Sequence, residues 1–286
     1  MATEKIKATV KKERKGTVQI LSETMNEEVG YLEKNLLQLF KDLLKINLLN
    51  IVILGLGFGI LLFLLSDSSS NAPVMIIAAI IIMIITLLIS AVISSVQINA
   101  VDERARGNAV RILSKVKENF VPVILYSILF YGIILIVFLP PVLIFLSGST
   151  SLLLLALGLL FFSLIISLLL FFLMQFGLWE LVINKREPVA SLKRSYELIT
   201  NGNIIKTLIF WICIIVIGLG FGIVFQVLYY LISPISTLFL MINGIIGILI
   251  YVFLLAIINV VYSALVYTVM LPFQYIFWKK LEEISG

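Results

Sequence analysis

The sequence has no histidine. That removes the commonest general base and the commonest transition-metal ligand. Cysteine is nearly absent as well: Cys213 stands alone inside an apolar run, which excludes an internal disulfide and a multi-thiolate metal cluster. Charge is scarce. Asp, Glu, Lys and Arg supply 13% of the 286 residues, about half the share in a soluble domain, while 61% are hydrophobic. This is the balance of a lipid-embedded chain. The basic segment 1–16 precedes no short apolar core with a small-residue cleavage site, so it does not read as a secretory signal. A disordered, solvated arm is expected there.

What the chain has in abundance is long apolar runs. Six occur, at about 46–65, 74–98, 120–146, 152–178, 204–232 and 238–271. Each is long enough to cross roughly 30 Å of hydrocarbon as a helix. The polar turns SDSSSNAP (66–73), SGSTS (147–151) and SPIST (233–237) separate them in pairs. Pro140 and Pro141 are expected to end the third helix early. The predicted fold class is an all-α, polytopic transmembrane helix bundle forming one domain over 17–286. Its six spans form three hairpins, each preceded by an amphipathic interfacial helix.

Three segments supply those interfacial helices. Val18, Leu21, Met25, Val29, Leu32, Leu36 and Phe40 recur at helical spacing, with a possible break at Gly30. Ala109, Ile112, Val116 and Phe120 do the same in 99–119, where Asp102 and Glu103 suit a helix N-terminus. The clearest is WELVINKREPVASLKRSYELITNGN. Pro188 suits its first turn, Val189, Leu192, Tyr196 and Ile199 share an apolar face, and Gly202 is placed to end it.

Orientation follows from the basic residues. All 21 lie in four segments: nine before Ile46, five in 99–119, five in 183–206 and two at 279–280. The positive-inside rule then places both termini and both long loops in the cytoplasm of a cell-membrane protein. Trp179 and Glu180 are expected at the headgroup level, and Phe277, Trp278, Lys279 and Lys280 as an inner anchor.

An internal repeat is visible. KDLLKINLLNIVILG, ENFVPVILYSILFYG and GNIIKTLIFWICIIV each follow a basic amphipathic segment, giving units of about 17–98, 99–182 and 183–286. GLGFG occurs at 55–59 and again at 218–222. It follows no strand, so it reads as a helix-packing motif of Gly55, Gly59, Gly218 and Gly222 and not as a nucleotide fingerprint.

The candidate functional residues fall into two groups. Within the spans, Asn47, Asn50, Gln97, Ser163, Ser167, Gln175, Gln226, Asn243 and Asn259 are polar. Most are expected to glue helices together; Asn243 and Asn259, sixteen residues apart on one face, are the candidates for a substrate path. In the cytoplasm, Lys185, Arg186, Lys193 and Arg194 are candidate docking residues for anionic lipid headgroups or an acidic partner. Glu180, Glu187 and Glu197 read as a solvated face, with Glu197 able to pair with Lys193 or Arg194. No catalytic, cofactor or metal site is expected, and no nucleic-acid partner.

The run from Glu180 into the fifth span resembles the signature of a broad family of six-helix prokaryotic membrane proteins. It is the group related to the membrane domain attached to some glycerophosphodiester phosphodiesterases. In that family a helix-terminal acid precedes a Pro-x-Ala-Leu-x-Arg-Ser-like turn and helix. Glu180, Pro188, Ala190, Leu192, Arg194 and Ser195 match it, and Pro140 fits as well. The resemblance spans most of the chain, is specific over 180–203, and implies the fold and the membrane location. It does not imply phosphodiesterase activity, which belongs to a separate barrel domain with histidine and acidic metal ligands. The expected function is a non-catalytic membrane protein that organises lipid, partner proteins or copies of itself through its basic helices. The alternative is a permease or channel subunit for a neutral or amphipathic substrate, with a possible partner ATPase. A polar-lined cavity between the helices would favour the alternative.

Overall fold

A computed structural model describes the backbone of residues 2–66, 72–147, 150–242 and 244–285. Side chains are described for 16–53, 55, 81–82, 84–147, 151–231, 234 and 253–285. Among these residues the chain is helical and contains no strand. The helices are α1 (Ala2–Ser66), α2 (Ala72–Ala105), α3 (Ile112–Leu146), α4 (Leu153–Met174), α5 (Gly177–Val182), α6 (Pro188–Thr200), α7 (Ile204–Ile242) and α8 (Gly244–Ser285). A single 3-10 turn, Thr150–Leu152, leads into α4. Helix is the form expected of so apolar a chain, because it pairs backbone groups within one segment where no water could.

Five stretches of the described residues are long and apolar enough to cross a membrane: Ile84–Ala105, Ile112–Leu146, Leu153–Val182, Ile204–Leu231 and Phe253–Ser285. The expected first span, 46–65, falls largely among side chains outside the described residues, as does the first half of the sixth. Half of the most apolar window of Ile84–Ala105 is buried inside the protein, against 11% in the windows of α3, α4 and α7. So α2 is central, and the other three turn apolar surface outward as a bilayer requires.

Paired contacts fix the lateral order. Asn47 and Asp42 of α1 meet Gln97 and Arg104 of α2, so the two run antiparallel. The same follows for α3 and α4 from Ser163–Val137 and Tyr126–Met174, and for α7 and α8 from Phe210–Phe277 and Phe225–Tyr262. The first and last helices also pack antiparallel, through Asn47–Ser263 and Glu27–Lys280. The row is therefore α4, α3, α2, α1, α8, α7, with α5 and α6 packed across one end.

That end, which carries the charged loops, holds the largest fully buried side chains among the described residues. Phe210 and Phe277 stack with centroids 4.0 Å apart, Phe273 and Phe176 flank them, and Trp179 stacks on Trp278 at 6.0 Å. Each such pair adds about 0.5–1.5 kcal/mol beyond area burial.

The structure corrects several expectations. Segment 1–16 carries helical backbone from Ala2, continuous with the amphipathic stretch and with no break at Gly30. In 99–119 there is no separate amphipathic helix. The C-terminal turns of α2 and the first turns of α3 fill that segment, joined by a loop in which Gly107 takes φ +76°. Asp102 and Glu103 thus lie in the last turn of α2, the wrong end of the helix dipole. Cations hold them there: Arg106 lies 2.8 Å from Asp102, and Lys115 lies 3.0 Å from Glu103.

Pro140 and Pro141 do not end α3, which continues to Leu146. Pro141 lacks the N–H that would bond Val137 O, and the Ser163 hydroxyl of α4 donates to that carbonyl instead, at 2.8 Å. SPIST is likewise helical, within an α7 that runs to Ile242. One proline removes one donor, which is less than unwinding a helix costs away from water.

Candidate functional site

Pro188, Leu192, Ile199 and Gly202 act as their spacing predicts. α6 starts with Pro188 in its first turn and ends before Gly202, which takes φ +81°. Its buried face differs from the expected one, however. Ser191, Leu192, Ser195, Leu198 and Ile199 pack inward against α3, α4 and α5, whereas Val189 and Tyr196 are exposed. Two serines therefore replace two apolar residues on the inner face: Ser191 donates to Glu187 O at 2.9 Å at the start of α6, and Ser195 serves the bend between α4 and α5, which leaves backbone groups to satisfy. The Ser195 hydroxyl donates to Leu173 O at 3.0 Å and accepts from Phe176 N at 3.1 Å, closing both orphans.

Beside that bend lies a buried charge. Glu180 is wholly buried, against the expectation of a solvated face. Its Oε1 accepts from Trp278 Nε1 at 3.0 Å, and its Oε2 accepts from Arg186 Nε and Asn184 Nδ2, both at 2.9 Å. Asn184 also donates to Glu282 at 2.8 Å. Two of these four contacts, Trp278 to Glu180 and Asn184 to Glu282, tie α5 and the loop after it to the end of α8. Phe277 and Trp278 belong to this core with no exposure, and do not form the interfacial anchor expected of them. An indole ring beside a carboxylate gains more by donating its N–H than by lying among headgroups.

The four basic docking candidates divide. Lys185, held at φ +53°, binds Glu118 at 2.6 Å and Asn119 at 3.3 Å, and Arg186 is committed to Glu180. Arg194 is mostly covered. Lys193 projects outward with its side chain 75% exposed, loosely paired at 3.8 Å with Glu197.

Among the described residues, Gly55 and Gly222 show no close packing contact and Gly218 shows an ordinary one. A Cβ at Gly55 or Gly222 would meet nothing within 4 Å, and one at Gly218 would make an ordinary 3.5 Å contact with Met270. The side-chain surroundings of Gly59 lie outside the described residues. The close approach occurs at Gly177, where an added Cβ would lie 2.5 Å from Tyr126 Oη.

Of the two asparagines named for a path, Asn243 lies outside the described residues. Asn259 lines a cavity of about 450 Å³ between α1 and α8, with Asn47, Asn50, Ser263 and Tyr267 around it. Asn47 supports the wall: Gln97 donates to its carbonyl at 2.8 Å, and its own amide donates to Ser263 at 3.3 Å. Asn50, one turn on, is different. Its Oδ1 is buried and accepts no hydrogen bond from a described residue. Ile51, Leu255 and Ala256 complete the lining, which among the described residues contains no carboxylate and no ammonium. The cavity therefore offers hydrogen bonds to an uncharged polar group and apolar contact to whatever carries it. Asn47 and Asn50 share a helix face, but only the fold shows that α8 brings three more polar residues opposite them.

Fold and cavity together define an all-helical protein compatible with a multi-pass membrane chain. No family model, curated protein or solved structure matches it.

Proposed function

We propose that this is a non-catalytic, multi-pass protein of the cell membrane that takes a neutral amphipathic molecule into the cavity between α1 and α8. The observation that carries the reading is the polar lining of the cavity, with Asn47, Asn259, Ser263 and Tyr267 around Asn50, whose buried carbonyl oxygen has no partner among the described residues. An amide left unpaired in such surroundings costs about 1–3 kcal/mol, which a ligand hydroxyl or amide N–H would recover. The absence of charge in the lining favours an uncharged ligand. In this reading six spans form three repeated hairpins, and both termini and the charged loops lie in the cytoplasm. The resemblance to the membrane domain of glycerophosphodiester phosphodiesterases belongs to the same proposal. Movement of the ligand across the bilayer would make the protein a permease subunit; retention would make it a lipid-binding one.

A second reading keeps the cytoplasmic surface as a dock for anionic headgroups. Exposed Lys193 beside exposed Val189 and Tyr196 on α6 favours it. Lys185, Arg186 and Arg194, engaged or covered within the chain, contribute less to it.

Photo-crosslinking separates the two. A photoactivatable monoacylglycerol in nanodiscs should label peptides of α1 and α8, and Asn50→Leu with Asn259→Leu should cut labelling by about tenfold, equivalent to roughly 1.4 kcal/mol. Labelling spread evenly over the helices, or unchanged in the double variant, overturns the cavity reading. Loss of anionic-lipid retention on Lys193→Gln alone supports the second.

A further inference from the structure

We infer that the charged end of the α1–α8 seam holds a separate site for a small, soluble phosphate ester that also carries a hydrogen-bond donor. A cavity of about 460 Å³ opens there between α1, α8 and the end of α2, within the range that holds a small metabolite. Three ammonium groups and two carboxylates line it: Lys34, Lys279 and Lys280, with Glu27 and Glu283.

The pairing of these charges decides what can bind. Lys280 is spent, bound to Glu27 at 2.6 Å and to Glu23 at 3.5 Å. Among the described residues Lys34 and Lys279 have no carboxylate within ion-pair distance; Lys279 rests 4.6 Å above the Tyr275 ring. Both tyrosine hydroxyls are committed elsewhere, Tyr31 to Val101 O at 3.0 Å and Tyr275 to Asp102 at 2.8 Å. The cationic donors left free in the lining are thus two ammonium groups on different helices, a pattern that suits the several oxygens of a phosphate ester. Glu283, also without an ion-pair partner, opposes a ligand that is anionic throughout. It favours one whose far end bears an ammonium or hydroxyl.

Position selects the soluble source over a lipid headgroup. Lys34 precedes the apolar run at Ile46 by twelve residues, about 18 Å of helix, which clears a headgroup layer of roughly 5–8 Å. Gly30 forms part of the wall, and a Cβ there would meet nothing within 4 Å. A larger side chain at Gly30 can therefore fill the cavity without changing its charge. The site is independent of the intramembrane cavity and stands or falls without it.

Equilibrium dialysis of the full chain in nanodiscs tests this with O-phosphoethanolamine as probe and inorganic phosphate for comparison. Expected are saturable binding weakened by salt, a loss of about tenfold or more in Lys34→Gln with Lys279→Gln, and loss of binding in Gly30→Leu with thermal stability retained. Glu283→Gln should erase the preference for phosphoethanolamine over inorganic phosphate. Absence of saturable binding at millimolar probe, or binding unchanged in both cavity variants, overturns the site. So does competition by phosphatidic acid in the nanodisc, which would make it a headgroup site.

Discussion

Replacing Arg186 with Met should destabilise the protein through Glu180, more than through any contact Arg186 makes for itself. Glu180 has no solvent exposure, and its Oε2 depends on Arg186 Nε and Asn184 Nδ2, both at 2.9 Å. Removing one partner of a fully buried pair costs about 3–5 kcal/mol. Two features reduce that figure here: the Arg186 side chain is 42% exposed, and two neutral donors remain on the carboxylate. A loss of about 1–3 kcal/mol is expected, or a fall of roughly 2–8 °C in melting temperature for a chain this long. Intrinsic tryptophan fluorescence in detergent is a direct assay, because Trp179 and Trp278 stack beside the carboxylate. Adding Glu180→Gln to the Arg186→Met variant removes the stranded charge while keeping a group that can accept from Trp278. It should restore part of the loss. Lys193→Gln, on an exposed side chain, should change the melting temperature by less than about 1 °C. An Arg186→Met protein that melts like wild type, or a double variant no better than the single one, would refute the reasoning.

Two further outcomes test the charged end and the core. Glu28 is 7% exposed with Oε1 unpartnered, and burial pushes its carboxyl from the ordinary 4.5 up to about 7. The folded state then holds a proton that the unfolded state releases, so stability falls as pH rises from 4.5 to 7 and levels off above. Glu28→Gln should flatten that dependence and raise stability at pH 8 by up to about 3 kcal/mol, read from thermal melts across pH; a pH dependence identical to wild type would contradict it. At Gly177, an added Cβ would lie 2.5 Å from Tyr126 Oη and 3.0 Å from Cε2. Gly177→Ala should cost about 1–3 kcal/mol in the same melts, with partial relief from Tyr126→Phe; equal tolerance of Ala at Gly177 and Gly222 would refute the close approach.

Helical content was legible because apolar runs and 3.6-residue spacing are local properties. The limits of α6 were legible for the same reason, since Pro188 and Gly202 constrain their own dihedral angles. The direction each face turns was not. Val189 and Tyr196 lie on the apolar side by spacing, yet the inner face of α6 is set by the bend between α4 and α5, which requires the Ser195 hydroxyl. Glu180 shows the same limit, because an acid beside a basic loop reads as solvated until Trp278, 98 residues on, is known to donate to it. In the cavity, Asn259 was legible as a polar residue within a span. Its partnership with Asn47 and Asn50 was not, because it depends on the first and last helices being neighbours.

The prolines make the reason general. A rule that proline ends a helix assumes that the freed carbonyl is best satisfied by leaving the helix for water. In α3 the carbonyl freed by Pro141 is instead met by Ser163, 26 residues from Val137, so the helix continues. Among apolar surroundings no water competes, and a hydroxyl on the neighbouring helix becomes the cheapest donor. Ser195 does the equivalent work at the α4–α5 bend, accepting one backbone hydrogen and donating its own. Asn47, Ser163 and Ser195 are thus polar residues whose demands are met inside the chain. Asn50 differs from all three in having an acceptor that no described residue satisfies. Ser167 and Gln175 also carry buried polar atoms without a described partner, so it is the position of Asn50 in the polar lining between α1 and α8 that makes it the place to look for a ligand.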